Sequence, residues 1–359
     1  MSETHHLEYP FLFNAAVLYE TKKPLVIEKV SFQGPLQVGQ VLVKIHYSGI
    51  CGKQIEEIQG TGGSDPYLPH MLGHEGSGVV VDTGPGVKNI SPGDHVVLHW
   101  IKGSGIDATT PFYFSEGKRI NAGCITTFNE YGVISENRMT AIPKESSLLE
   151  SALLGCAVTT GVGVILNDAK LLPGEPVAIF GCGGVGLSAI QGASLVNAYP
   201  IIAVDRNSES LELAAKFGAT HLIDTTTTNV ISEIDKISSD NGVQNIIICA
   251  GNSELTEIAI HAGSFPSNVF FVGVPPEKSK IQLNPLSIHR QRNLIGSYGG
   301  GTIPNRDIPR YLYLHEKGLL KLSGLISEIV SLDQINKGIA TIRSGKVGRC
   351  IVDMVNTYV

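Results

Sequence analysis

Between residues 13 and 155 the apolar positions fall in short β-branched runs interrupted by glycine and proline. "QVLVKIHYSG", "GSGVVVDTG" and "GDHVVLHW" have strand length and strand composition, and "TGPG" and "SPGD" are turn sequences. This stretch predicts a β-rich domain with few helices. From about Ser151 the pattern changes. "SALLGCAVTTGVGVILNDA" reads as helix, and buried strands then alternate with helices. The strands are "EPVAIFG", "YPIIAVD", "THLID", "VQNIIICA", "NVFFVGV" and "NLIGSYG". The helices are "GVGLSAIQGASLVNA", "SESLELAAKFGA", a polar segment near 228–239 and "SELTEIAIHAG". Such alternation predicts a parallel, doubly wound, six-stranded sheet, so the fold class is α/β with a separate β-rich domain. Residues 301–359 hold helices and the strand "GRCIVDMV"; they are too few for a domain and are expected to pack back on the first one.

Composition narrows the function classes. At 359 residues the chain is long enough for two domains, each with its own core. Hydrophobic residues make up 42% and charged residues 17%, and no apolar run reaches membrane-spanning length. The start, "MSETHHLEYPFLF", lacks the basic and apolar regions of a signal peptide, and His5 and His6 read as a polar tail. A net charge of −6 without a lysine or arginine cluster argues against nucleic acid and anionic membranes as partners. Cys51, Cys124, Cys156, Cys182, Cys249 and Cys350 are scattered, which suits reduced thiols or metal ligands in the cytoplasm better than disulfides.

Two constellations carry chemistry. In "AIFGCGGVGLSAIQ", Gly181, Gly183 and Gly186 form G-x-G-x-x-G between a strand and a helix, with Gly184 and Val185 inside the turn. A lone glycine pattern is weak, but Asp205 ends the next strand roughly 20 residues on, where a carboxylate accepts from ribose hydroxyls and repels a 2′-phosphate. NAD is therefore expected over NADP, although Arg206 could stack on adenine or meet a phosphate. Cys182 in this loop reads as a small filler. The second constellation joins Cys51 of "SGICGKQ", His74 and Glu75 of "GHEGSGVV", and Cys156 of "LLGCAVTTGVG". Two thiolates and an imidazole suit zinc, and three protein ligands leave a fourth position open for Lewis-acid chemistry. Singly, each cysteine is more often a small hydrophobe and the histidine more often structural.

At these residues the chain resembles the zinc-containing medium-chain alcohol dehydrogenases. "GHEGSGVVVDTGPGV", "LLGCAVTTGVG", "GCGGVG", "VGVPP" and "SGKVGR" match the family in order, from about residue 14 to 355. The resemblance implies a GroES-like catalytic domain over 1–157 and 297–359, and a Rossmann coenzyme domain over 158–296. It also implies homodimers or homotetramers acting on a small alcohol or carbonyl. By resemblance, Cys51, His74 and Cys156 hold one catalytic zinc and Glu75 is the nearby carboxylate. Thr160 and Val185 line the nicotinamide, Val272 and Val274 stand by the cofactor, and Arg349 contacts the pyrophosphate.

Three departures from the family stand out. The lobe "HWIKGSGIDATTPFYFSEGKRINAGC" has only Cys124 where many members carry four cysteines on a structural zinc, so one zinc per chain is expected. Lys53 replaces the usual serine or threonine of the proton relay, and Glu56 stands where some members have a relay histidine. Gln54 replaces the aspartate that supports the zinc histidine. Lys53 has three readings: an ion pair with Glu56 or Glu57, a proton carrier, or a charged holder of a substrate phosphate or carboxylate.

The implied substrate pocket includes Trp100, with Ala122 and Gly123 where some members are bulky, and His99 and Asn121 nearby. Such a pocket suits a polyol or sugar-derived carbonyl. If His99 faces away, it suits an ordinary secondary alcohol. Two rival readings of the chain are a non-catalytic nucleotide-binding protein and a zinc-independent quinone or enoyl reductase; the intact ligand set argues against both.

Overall fold

The computed structural model describes residues 8–239 and 242–356; His5 and His6 lie outside them. Two compact units result, one made of Met1–Gly155, Glu328–Ser344 and Cys350–Val359, the other of Cys156–Ser327 and Gly345–Arg349.

The first unit is β-rich, as the short β-branched runs predict. Its central strands, Gln40–Gly49 and Glu75–Thr83, pair antiparallel from Val41↔Thr83 to Ser48↔Gly76, with two register shifts that add local bend. They belong to a sheet ordered Met139–Ile142, His95–His99, Glu75–Thr83, Gln40–Gly49, Arg349–Asp353, Ile326–Ser331, with Tyr131–Ser135 also pairing to Gln40–Gly49. A closed barrel of Phe11–Leu18, Val26–Phe32, Phe112–Ser115, Lys118–Asn121 and His70–Met71 completes the unit. Its interior holds Phe13 and Tyr113 edge-to-face, with ring centroids 5.6 Å apart.

The lobe without the four cysteines is secured by a carboxylate. Glu136 is buried, and its Oε1 accepts from the backbone N–H groups of Lys88 (2.9 Å) and Asn89 (3.0 Å) while Oε2 accepts from Ile106 (2.8 Å). Burial alone would raise this carboxyl; the three backbone donors outweigh it and hold the group below the ordinary glutamate range.

The second unit contains the six-stranded parallel sheet, ordered His221–Asp224, Ile201–Asp205, Val177–Phe180, Val243–Ile248, Gly263–Phe271, Arg292–Gly296. Its core is the near-continuous apolar surface of these strands, including Phe180, Val204 and Ile248. Among the described residues no single helix is long and apolar enough to cross a membrane.

The unit boundary differs from the sequence expectation. The sequence reading returns the chain to the first domain at 297, whereas residues 297–327 cluster with the second unit. Local polar bonds hold them there: Thr302 Oγ1 donates to the Thr159 carbonyl (2.9 Å), and Gln191 Oε1 accepts from Lys321 N (2.7 Å). The return comes at Glu328, and in the helix Ile335–Arg343 the Asn336 amide bonds both backbone groups of Leu25 at 2.9 and 2.8 Å.

Candidate functional site

Cys51 caps the helix Gly52–Gln59, and Gln54, at its third position, returns its Oε1 to the Cys51 N–H at 3.0 Å. This is the reciprocal bond of a capping box, and it fixes the thiol at the helix mouth. His74 directly precedes the strand Glu75–Thr83. The Glu75 carbonyl accepts from Ser48 Oγ (3.0 Å) and Thr127 Oγ1 (3.2 Å), which anchors the strand end beside the histidine. Gly155 lies flush on this unit: a Cβ there would collide with the Leu98 carbonyl and with Glu75. Cys156 is bonded directly to Gly155, so that close approach determines where its sulfur falls.

The outcome is one cluster. Ligand atoms of Cys51, His74 and Cys156 all lie within 4.8 Å of one another. Two sulfurs and an imidazole nitrogen fit zinc, and a three-donor set is the catalytic kind. The Gln54 amide faces His74 Nδ1, leaving the buried Nε2 for a metal. The amide nitrogen meets the ring, because the oxygen is taken by the Cys51 N–H. Glu75 is fully buried and packs its carboxyl on Gly49.

Lys53 takes the ion-pair geometry among its three readings, with Nζ 3.5 Å from Glu56 Oε2 and side chains 42% and 32% exposed. Glu57, one residue on, was named in the sequence only as an alternative partner. Burial raises its carboxyl above the ordinary range, and the charges of His74, Lys53 and His70 moderate the rise. Its i+4 spacing from Lys53 on one helix face is the sequence signal for its place near the ligands.

In the second unit each glycine of the turn has a distinct job. Gly181 sits at φ +92°, Gly183 opens the helix Gly184–Leu195 with nothing within 4 Å of a Cβ, and a Cβ on Gly186 would strike the Gly181 carbonyl. Asp205 bridges the turn: Oδ2 accepts from Cys182 N (2.6 Å) and Oδ1 from Asn207 N (2.9 Å). Arg206 is exposed. The Arg349 guanidinium carbon lies 3.5 Å from a Cβ built on Gly184, placing its charge over the turn. The Val185 carbonyl packs on Gly161, and Thr160 is buried in the helix Ala157–Gly163. Val272 N donates to the Ile248 carbonyl at 2.9 Å, and Val274 is exposed. Burial drives the Cys249 thiol up to about 12 and Cys182 well above its ordinary value, so both behave as fillers.

The residues assigned to the substrate pocket are more dispersed. Trp100 is half-buried and its carbonyl accepts from Arg138, Ala122 packs against the barrel core, and Gly123 is exposed. His99 is buried and both its ring nitrogens are engaged, with the Ile101 carbonyl (2.8 Å) and Thr140 Oγ1 (2.9 Å). Burial pulls it down to about 4, so it stays neutral. Asn121 Nδ2 donates to the Tyr67 carbonyl at 2.8 Å. The two polar groups that suggested a polyol are therefore committed to the domain's own structure.

Comparison with known proteins adds to this geometry. Residues 37–144 match the alcohol dehydrogenase GroES-like domain family, and residues 184–316 match the zinc-binding dehydrogenase family. An alcohol dehydrogenase class-3 of Cereibacter sphaeroides is 32% identical over 377 residues, spanning 94% of this chain and 98% of the relative. An S-(hydroxymethyl)glutathione dehydrogenase of Paracoccus denitrificans is also 32% identical, with the same coverage. Among solved structures, benzyl alcohol dehydrogenase from Acinetobacter calcoaceticus superposes with a TM-score of 0.86 at 27% identity, over 96% of this chain and 100% of that one.

Proposed function

Because the chain belongs to the zinc-type medium-chain dehydrogenase/reductase family, among its alcohol dehydrogenases, we propose that it transfers a hydride between NAD(H) and an alcohol or carbonyl substrate. The observation that carries this reading is the convergence of Cys51, His74 and Cys156 within 4.8 Å. Zinc held by these three would supply a Lewis acid for the substrate oxygen, and NAD on the glycine turn would supply the hydride acceptor.

The chain's own residues do the rest. Gln54 orients the His74 ring, and Glu75 keeps a buried carboxylate beside the ligands. Asp205 is assigned to the adenosine ribose, with Arg206 at its edge, and Arg349 to the pyrophosphate. Thr160, Val185, Val272 and Val274 are assigned to the nicotinamide half, and Trp100, Ala122 and Gly123 to the substrate. Lys53 is assigned to the proton path between the substrate hydroxyl and solvent, with Glu56, 3.5 Å from its Nζ, as the next group on that path.

An ordinary primary or secondary alcohol fits better than a polyol, since His99 and Asn121 are engaged elsewhere. The enzyme is assigned to the cytoplasm, as a homodimer or homotetramer, with no cysteine in a disulfide. The test is metal analysis followed by an absorbance screen for NADH with primary and secondary alcohols, polyols and aldehydes. Metal-loaded protein that binds NAD yet turns over none of them would overturn the reading.

A further inference from the structure

The second unit carries a cationic cavity at the end of its sheet opposite the glycine turn. The turn and Asp205 follow the carboxyl ends of Val177–Phe180 and Ile201–Asp205. The cavity lies where Gly263–Phe271 and Arg292–Gly296 begin. It measures about 280 Å³ and is lined by His261, Phe265, Asn284, Leu286, Ser287, Arg290 and Arg292, with no carboxylate on its wall among the described residues.

Arg292 is the group that needs explaining. It is 3% exposed, donates one Nη to the Gly263 carbonyl, and has a buried Nε without a hydrogen-bond partner. Among the described residues no aspartate or glutamate pairs with it. Desolvation pulls its pKa below the ordinary arginine value, so the folded chain bears a cost for this charge that no internal anion offsets. Phe265 stacks it: the Arg292 guanidinium carbon is 4.3 Å from the ring centroid and that of the exposed Arg290 is 5.7 Å from the same ring. One aromatic ring thus holds two guanidinium groups on a single cavity, and planar forks so held match the oxygens of phosphate and carboxylate.

We propose that this cavity is an oxyanion site, in which Arg290 and Arg292 bind the phosphate or carboxylate group of a small molecule, with Asn284, Ser287 and His261 as further polar contacts. The site is separate from the glycine turn and independent of the dehydrogenase reading.

The test is calorimetric titration of the metal-loaded full chain, saturated with NAD so that the glycine turn is blocked. Inorganic phosphate and acetate, at constant ionic strength, are the probes; whichever binds more tightly identifies the group recognised. One saturable site per chain is expected. Arg290→Gln, an exposed substitution that leaves the fold in place, should weaken binding about tenfold by removing a charge-assisted contact. Crystals soaked in tungstate should show the ion between Arg290 and Arg292. Absence of a saturable site, unchanged affinity in Arg290→Gln, or tungstate bound only elsewhere would overturn the proposal.

Discussion

The Gln54 amide spans two of the three metal donors: its nitrogen faces His74 Nδ1 while its oxygen accepts from the Cys51 N–H at 3.0 Å. A histidine that ligates through Nε2 carries its proton on Nδ1 and needs an acceptor there. Glutamine has one acceptor oxygen, already engaged. A half-turn of the amide would satisfy His74 and set the NH₂ group against the Cys51 N–H. One of the two donors is always left facing a donor.

Gln54→Glu removes this conflict, because each carboxylate oxygen can take one donor. It should tighten zinc by about tenfold, and Gln54→Leu should weaken it by about 10–100-fold. Competition with a chromogenic chelator measures both. Equal affinities in all three proteins would show that Gln54 has no influence on the metal.

Cys51→Ala should lose zinc and hydride transfer yet retain dinucleotide binding, since the glycine turn belongs to the second unit. The unsubstituted protein should hold close to one zinc per chain. Elemental analysis with fluorescence titration of NADH reads both quantities, and two tightly held zincs would refute the single-site expectation.

Asp205 should set the preference for NAD over NADP. Its carboxylate also accepts from Cys182 N at 2.6 Å, so Asp205→Ala mixes loss of charge with a loosened turn. Asp205→Asn retains an acceptor and removes the charge. It should narrow the ratio of kcat/KM for NAD against NADP while the melting temperature falls less than in Asp205→Ala. A ratio unmoved in both variants would remove Asp205 from cofactor selection.

How much of this could be read from sequence follows from periodicity. The parallel sheet was legible because its buried strands are continuous apolar runs alternating with helices, and the glycine turn because each glycine answers a steric need. The metal ligands were legible only as a set, two thiols and an imidazole whose combination suits zinc, since each alone reads as structural. The return at Glu328 was not, because the buried positions of residues 297–327, such as Ile308, Tyr311 and Leu312, have a helical period that does not say which domain they pack on. Nor was the role of Glu136: its partners are backbone N–H groups, which have no residue identity. His99 looked available because sequence does not show that both its nitrogens are engaged.

Lys53→Met should lower kcat at neutral pH several-fold with zinc content unchanged. Glu56→Gln should reproduce part of the loss, because it interrupts the path to solvent at the 3.5 Å contact. The exposed ion pair itself contributes at most about 1 kcal/mol, so neither change should unfold the protein. Unchanged kcat and pH profiles in both variants would reduce the pair to a surface contact.

Glu136 is buried and accepts three backbone bonds that tie residues 88–89 and 106 to one carboxylate. Glu136→Ala leaves three N–H groups without their acceptor and should cost about 3–5 kcal/mol. Glu136→Gln can keep one oxygen on Lys88 and Asn89, but sets its NH₂ against the Ile106 N–H; it should cost about 1.5–3 kcal/mol and loosen the lobe around residue 106 first. The pH dependence follows from the depressed carboxyl. A carboxyl lower in the folded than in the unfolded chain contributes stability that is fully present above the unfolded value, about 4.5, and is lost as pH falls through the folded value. The stability gap between the unsubstituted protein and Glu136→Gln should therefore be flat from pH 7 to about 5 and shrink below about 4.5. Urea denaturation across that range measures the gap, and hydrogen exchange at Ile106 N–H reports the local loosening. A gap that stays constant down to pH 3 would mean that the charge on Glu136 does not hold the lobe.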